Sequence, residues 1–128
     1  MSDKFTVEII TPNETTLKTE TNEVNIPSFE GQMGILKDHI PLITFLRPGI
    51  ISLQDQEKKY YVEEGTVEFS NNNLLILTST ARDLTKLNQD SIEILLKSAE
   101  NKFSDNHSSD KEKYISSYKI STLKEINQ

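Results

Sequence analysis

Glycine and proline are confined to the first half of this 128-residue chain. All four glycines and all four prolines lie between Pro12 and Gly65, and none occurs from Thr66 onward. Turns need these residues for their special backbone angles, whereas helix interiors exclude them. The sequence therefore predicts a turn-rich first part and a helical second part, with the boundary between Thr80 and Leu87.

The first part consists of short runs typical of strands. Apolar residues recur at every second position in five runs: Phe5–Ile9, Val24–Ile26, Ile51–Leu53, Tyr60–Val62 and Val67–Phe69. The uninterrupted run Leu74–Leu77 predicts a strand buried on both faces, and the pair Tyr60 and Tyr61 predicts one core ring and one surface ring. Several short strands without an intervening helix favour an antiparallel sandwich or barrel. We predict an antiparallel β-sandwich over residues 1–83.

The second part changes to helical periodicity. One apolar stripe is formed by Ile92, Leu95, Leu96, Ala99 and Phe103. Asn88 or Asp90 is suited to cap this helix, and Ser109 with Glu112 has the form of a capping box for a second helix. A sparser stripe follows at Ile115, Tyr118, Leu123 and Ile126. We predict an antiparallel two-helix hairpin over residues 84–128, with a weakly docked second helix.

Charge and composition exclude several classes of function. The net charge of −6 disfavours binding to nucleic acid and docking onto anionic lipid. The absence of cysteine excludes disulfides, thiolate metal sites and a cysteine nucleophile, and two histidines are too few for a persuasive histidine metal site. The longest aliphatic run is far shorter than a membrane helix, and the first residues lack signal or transit character. These features predict a soluble, intracellular protein.

The candidate catalytic groups are weak. The stretch Gly31–Gly34 lacks the spacing of a phosphate-binding loop. Asp38 and His39 resemble an acid–base pair, but nothing in the sequence supplies a nucleophile or third group. Glu63 and Glu64 are adjacent, so on a strand they point to opposite faces. We therefore predict no catalytic residues, no cofactor and no metal.

The segment from Val24 to Gly49 has an order of residues that composition does not explain. Its characteristic elements are Pro27, Glu30-Gly31, Met33-Gly34-Ile35-Leu36, His39, Pro41-Leu42-Ile43-Thr44 and Pro48-Gly49. In this order they resemble the signature of the epsilon subunit of the bacterial F-type ATP synthase, which corresponds to the mitochondrial delta subunit. The flanking stretches Glu8–Asn13, Tyr61–Gly65 and Leu75–Leu77 extend the resemblance over essentially the whole chain.

The resemblance implies a non-catalytic subunit of the central rotor of a proton-translocating ATP synthase. The sandwich of such a subunit binds the gamma subunit and rests on the ring of c subunits, so that ring rotation is coupled through gamma to ATP synthesis. Transferred by position, the ring contacts are Glu30, Gly31 and Gln32, together with the turn that contains Asp38 and His39. Many relatives carry an acidic residue where this chain has Gln32, which removes one charge from that contact.

The resemblance also implies a regulatory or stabilising hairpin. In the family it folds against the sandwich or extends along gamma into the catalytic head, where it hinders ATP hydrolysis. Some members bind ATP through a motif at the start of the first helix. The corresponding stretch Leu87–Ile92 lacks the arginine of that motif, so we predict no ATP binding. In the extended state, we hypothesise, four lysines of the second helix contact the alpha and beta subunits. The alternative is that they form a solvated charged face. The four are Lys111, Lys113, Lys119 and Lys124.

Two other classes stay open at this stage. The first is a stand-alone ligand-binding β-sandwich whose helices form a lid. The second is a small enzyme that uses Asp38 and His39. The rotor subunit is expected to be peripheral on the cytoplasmic side of a bacterial inner membrane, attached only through the complex, although a plastid-encoded copy would also lack a transit segment.

Overall fold

A computed structural model describes residues 3–126 and shows a β-sandwich followed by two helices. The strands are β1 (Phe5–Thr11), β2 (Glu14–Thr21), β3 (Glu23–Ser28), β4 (Gly31–Leu36), β5 (Leu42–Leu46), β6 (Gly49–Leu53), β7 (Lys58–Val62), β8 (Gly65–Ser70), β9 (Asn73–Leu77) and β10 (Ala81–Asp83). A 3₁₀ turn at Leu84–Lys86 leads to α1 (Gln89–Ser104) and α2 (Asp110–Ile126). The predicted fold class is confirmed.

The strands form one hydrogen-bonded path that folds into two layers. The first sheet has the order β4-β3-β6-β7-β10, and the second has the order β5-β8-β9-β1-β2. The two sheets join where Ser28 of β3 pairs with Leu46 of β5. Neighbouring strands are antiparallel except β1 and β9, which run parallel. Seven other strands separate β1 from β9 in the chain, so no hairpin turn connects the two. Without a hairpin turn, they are not constrained to be antiparallel.

Strands β5 and β6 follow each other along one edge of β3, with a bend at Arg47 and Pro48. The Arg47 N–H donates to the Pro27 carbonyl over 3.0 Å, which continues the pairing between Ser28 and Leu46. Before the bend the chain pairs with β8 of the second sheet, and after it the chain pairs with β3 and β7 of the first sheet. The backbone therefore passes from one layer to the other at this point.

Alternation along the strands places one apolar set between the layers. The core contains Phe5, Val7, Ile9, Leu17, Val24, Ile26, Ile35, Leu46, Ile51, Leu53, Tyr60, Val62, Val67, Phe69, Leu74 and Ile76. Two predictions about burial were wrong. Tyr60 and Tyr61 are both buried, because the hairpin covers the outward face that carries Tyr61. Leu77 is exposed, because no described residue covers the outer face of the second sheet around it.

The hairpin packs on the outer face of the first sheet. Its second apolar cluster contains Tyr61, Ile92 and Leu123, flanked by Leu84, Leu87, Leu95, Leu96 and Ile126. The predicted caps are confirmed: Asn88 Oδ1 accepts from the Ser91 N–H, and Ser109 and Glu112 exchange two hydrogen bonds of 3.1 Å. Phe103, expected in the apolar stripe, is exposed near the end of α1.

The Tyr61 hydroxyl makes a hydrogen bond beneath the hairpin, and removing it should lower the stability of the fold. Burial, and next the charge of Glu63, raise the pKa of Tyr61, so the hydroxyl stays protonated and donates to Glu63 Oε2 over 2.9 Å. We expect Tyr61→Phe to lower the free energy of unfolding by about 1 kcal/mol, because one hydrogen bond is lost and the partly exposed Glu63 carboxylate is then hydrated by water. Urea denaturation measures the change. Tyr114→Phe is the matched control, since it removes an exposed hydroxyl that bonds Tyr118, and a loss as large as that of Tyr61→Phe would contradict the expectation.

An ion pair joins the end of α1 to the start of α2, and its strength depends on pH. The Lys102 ammonium, 2.7 Å from Glu112 Oε2, and the Ser109 N–H lower the pKa of Glu112 to about 2. A lowered carboxyl pKa stabilises the folded hairpin above the ordinary value of 4.5, and that contribution is lost as the pH falls through about 2. We expect the Ser109 amide resonance to titrate near pH 2 and to stop titrating in Glu112→Gln. A titration midpoint above pH 4 would contradict this.

Candidate docking surface

The outer face of the second sheet exposes large apolar side chains. The exposed fraction is 74% for Ile43, 61% for Phe45 and 43% for Leu77. These values contrast with the first sheet, whose outward Tyr61 is 1% exposed beneath the hairpin. The two outer faces of the sandwich are therefore unequal, since the hairpin covers the first sheet around Tyr61 and leaves Leu36 at its β4 edge exposed, whereas the second sheet presents several apolar side chains to solvent.

Strand register collects these side chains into rows. Phe45 lies opposite Thr66, Thr66 opposite Leu77, and the row continues through Leu77 to Ile10 of β1. The neighbouring row contains Ile43, Glu68, Leu75 and Glu8. We call the surface formed by Ile10, Ile43, Phe45, Leu75 and Leu77 the apolar face. A contiguous exposed apolar surface rimmed by polar residues is typical of a protein–protein contact site.

The apolar face continues into a groove between the sandwich and α2. The groove has a volume of about 1190 Å³. Phe29, Phe45 and Leu77 line it from the sandwich, and Lys111 and Ile115 line it from α2. A partner that covers the apolar face would therefore also approach the second helix.

Ion pairing joins α2 to the rim of the groove. Lys119 Nζ lies 3.8 Å from Glu63 Oε1, while the other oxygen of Glu63 accepts the Tyr61 hydroxyl. A further contact places the Arg47 guanidinium 4.4 Å from the centre of the Tyr118 ring. These contacts hold α2 against the first sheet.

The structure separates the five predicted ring-contact residues into two groups. Glu30 lies in the turn between β3 and β4, Gly31 and Gln32 are the first residues of β4, and all three are at least partly exposed. Asp38 and His39 lie in the connection between β4 and β5. Strand β4 stands between the groups, and five residue steps of about 3.3 Å make this distance about 17 Å.

Asp38 and His39 do not form an acid–base pair. The Asp38 N–H donates to Asn72 Oδ1 over 2.7 Å, and Asn72 Nδ2 donates to Asp38 Oδ1 over 3.0 Å. The His39 ring lies edge-on to Phe69, and its Nδ1–H donates to the Ile40 carbonyl over 2.8 Å. Both side chains thus make contacts that stabilise the connection between β4 and β5. The geometry does not support the alternative of a small enzyme that uses Asp38 and His39.

The four lysines of α2 do not lie on one surface. At 3.6 residues per turn, Lys111 and Lys119 project within about 80° of each other, whereas Lys113 and Lys124 project from the opposite side. Lys111 lines the groove and Lys119 pairs with Glu63. Lys124 is exposed near the end of the helix.

Among residues 3–126, no group of three or more acidic or histidine side chains is placed to hold a metal ion. The same range contains no helix that is long and apolar enough to cross a membrane. Inside the sandwich, the space that a ligand-binding protein would leave open is filled by apolar core side chains. The geometry thus favours docking over ligand binding.

The chain thus has a β-sandwich, a helical hairpin packed on one sheet, and an apolar face that is a candidate surface for docking to another protein. Residues 4–83 match the family described as ATP synthase, Delta/Epsilon chain, beta-sandwich domain. Over 130 residues the chain is 45% identical to the ATP synthase epsilon chain of Pelagibacter ubique, covering 99% of this chain and 100% of that relative. The chain belongs to the ATP synthase delta/epsilon family.

More distant relatives agree with this assignment. The mitochondrial ATP synthase subunit delta of Schizosaccharomyces pombe is 36% identical over 88 residues, which are 65% of this chain and 53% of that relative. A chain in the mitochondrial ATP synthase of Euglena gracilis superposes with a TM-score of 0.75 at 18% identity, covering 97% and 79% of the two chains. A chain from the central stalk and c-ring of the Tetrahymena thermophila enzyme has a TM-score of 0.66 at 14% identity, covering 96% of each. The two structural matches show the same fold.

The apolar face was missed in the sequence, although a signal for it was present. Strand β5 is apolar at outward Ile43 and Phe45 as well as at inward Leu42 and Leu46. The run Leu74–Leu77 has the same property. A strand that is apolar on both sides is either buried in its own fold or covered by a partner, and the pattern of residues alone does not distinguish the two cases.

Proposed function

We propose that this chain is a rotor subunit of a proton-translocating F-type ATP synthase and that its apolar face binds the gamma subunit. The single observation that carries the proposal is the unequal covering of the two outer sheet faces. Exposure of Ile43 and Phe45 has no structural benefit for an isolated chain, whereas a partner that buries them gains about 25 cal/mol for each Å² of apolar area. The resemblance to the epsilon subunit, whose sandwich binds gamma, supports gamma as that partner.

The ring of c subunits is proposed to lie along β4. The turns at both ends of this strand carry the exposed polar residues that the family resemblance assigns to the ring, so a polar surface about 17 Å long would meet both groups. The chain has no cysteine, which allows single-cysteine variants to test this. Gln32→Cys and Asp38→Cys should both cross-link to a cysteine-bearing ring, whereas Lys18→Cys on β2 should not. Cross-linking by only one of the first two would place the ring at one end of β4.

The chain is proposed to divide into a sandwich, residues 1–83, that binds gamma and the ring, and a hairpin, residues 84–128, that regulates or stabilises the complex. The last strand ends at Asp83, where the apolar layers of the sandwich also end. In the assembled enzyme the subunit would be peripheral, on the cytoplasmic side of a bacterial inner membrane. The hairpin would then reach the alpha and beta subunits only by leaving the first sheet.

Hydrolysis by a catalytic head reconstituted with gamma tests both roles. Co-purification with the head and inhibition by the chain would establish rotor membership, and no co-purification would overturn it. If the α2 lysines contact the head, replacing Lys111, Lys113, Lys119 and Lys124 with alanine weakens the inhibition of ATP hydrolysis. A control with the same change of charge replaces Lys18, Lys58, Lys59 and Lys97. Equal inhibition by the two variants would exclude a specific role for the α2 lysines.

A further inference from the structure

Strand β4 is an open edge of the first sheet. It pairs with β3 over its whole length, and no described strand pairs with its other side. Its sequence, Gly-Gln-Met-Gly-Ile-Leu, contains neither a charge nor a proline. Exposed edge strands of natural proteins usually carry lysine, proline or a bulge, or are very short, because an unprotected edge pairs with another chain.

The other sheet edges have such protection. Strand β2 carries three charged side chains, and its pairing with β1 contains an irregularity at Ile9 and Ile10. Strand β10 has only three residues, of which two are charged. One end of β5 is occupied by its pairing with Ser28 and by the Phe29 N–H, which donates to the Phe45 carbonyl over 3.2 Å. Among the described strands, β4 is thus the edge that is unprotected along its whole length, whereas only Leu42–Thr44 of β5 are open.

The register with β3 determines which backbone groups of β4 point outward. Pro27 has no N–H, and its carbonyl accepts from Arg47 on the far side of β3. Pro27 and Gln32 therefore form a non-hydrogen-bonded pair, and the backbone N–H and C=O of Gln32 point to the open edge. Because this pattern repeats every second residue, Gly34 points the same way.

These outward groups fit a second copy of the same strand. In an antiparallel pair, residues that exchange hydrogen bonds must both point toward the partner strand. Placing Gln32 opposite Gly34 of the second copy satisfies this rule twice around a two-fold axis at Met33, which makes four backbone hydrogen bonds. Gly34 has no side chain to hinder the approach. The contact is isologous, as the interface of a two-fold dimer must be.

We propose that free copies of this chain form a two-fold dimer through antiparallel pairing of β4. The interface is a single pair of strands with its flanking side chains, which is smaller than a standard stable interface. The dimer therefore forms at high concentration. Its contact lies on the first sheet and leaves the apolar face on the second sheet uncovered.

Sedimentation equilibrium of the full chain from about 10 µM to about 1 mM tests the proposal. The expected result is a mass that rises from monomer to dimer across this range, and a monomer throughout would overturn the proposal. Gln32→Pro removes one outward donor from each copy and should weaken the dimer about tenfold. Gln32→Ala is the matched control, because it loses the same side chain but keeps the donor, and it should dimerise like the original chain. Proline is tolerated on an edge strand whose N–H faces solvent, so circular dichroism should show an unchanged fold.

A dimer that survives Gln32→Pro would overturn β4 pairing. A dimer lost instead in Phe45→Ala would place the contact on the apolar face and would equally overturn it.

Discussion

Replacing Phe45 with aspartate is expected to abolish detectable binding of the chain to the gamma subunit while the chain stays folded. Phe45 is 61% exposed in the free chain and occupies a row with Thr66 and Leu77. An aromatic side chain at the centre of an interface contributes about 2–4 kcal/mol, and a buried unpaired carboxylate adds a desolvation cost. The combined effect corresponds to a loss of affinity of at least about 100-fold. Titration of labelled chain with purified gamma measures it.

The matched control for this variant is Ile94→Asp. Ile94 is 70% exposed, but it projects from α1, and the helices cover the opposite sheet. This variant therefore tests whether a charge at any exposed apolar position reduces binding to gamma, or only a charge on the apolar face. We expect unchanged affinity for Ile94→Asp. Full binding by Phe45→Asp, or an equal loss in both variants, would contradict the location of the gamma contact on the second sheet.

Replacing Gly65 with alanine is expected to lower the free energy of unfolding by about 4 kcal/mol. Gly65 begins β8 with φ of 152°, a conformation that residues with a Cβ rarely adopt. A Cβ at this position would lie 2.4 Å from the Leu77 carbonyl oxygen and 3.1 Å from Thr78 Cβ. The backbone penalty and the steric penalty therefore add, and β8 would have to move away from β9. Urea denaturation followed by circular dichroism measures the loss.

Gly31→Ala separates the two penalties. Gly31 has φ of 122°, but no atom lies within 4 Å of a Cβ built on it. Only the backbone penalty applies, so we expect a loss of about 1–3 kcal/mol. If the two alanine variants lost stability to the same extent, the close approach of Gly65 to the Leu77 carbonyl would be without energetic consequence.

The features that sequence predicted well depend on neighbouring residues. The change from period two to helical period, the confinement of glycine and proline, and the reciprocal bonds of Ser109 and Glu112 are all local. Burial of Tyr61 is different. Its outward face is covered only because α1 and α2 return over the first sheet, and no residue near Tyr61 carries that information.

The candidate docking surface was harder to predict for two physical reasons. The family resemblance assigns both Glu30 and Asp38 to the ring, but their separation of about 17 Å follows only from the extended strand that lies between the two turns. Outward Phe45 and inward Leu46 are both apolar, so hydrophobicity does not say which side faces the core. By contrast, the distribution of the four α2 lysines over two helix faces follows from their spacing and was available from the sequence alone.

The bend at Arg47 and Pro48 has a mechanical consequence. A sandwich whose layers touch only through apolar side chains resists shear weakly, because such contacts have no preferred direction. In this fold, a sideways load on Phe45 reaches Gly49 and β6 through five covalently linked residues, and the pairing of Leu46 with Ser28 fastens the same point to β3. The main chain thereby connects the two sheets next to Phe45, on the face where a partner would bind. A load on the second sheet therefore reaches the first sheet through main chain as well as through side-chain contacts.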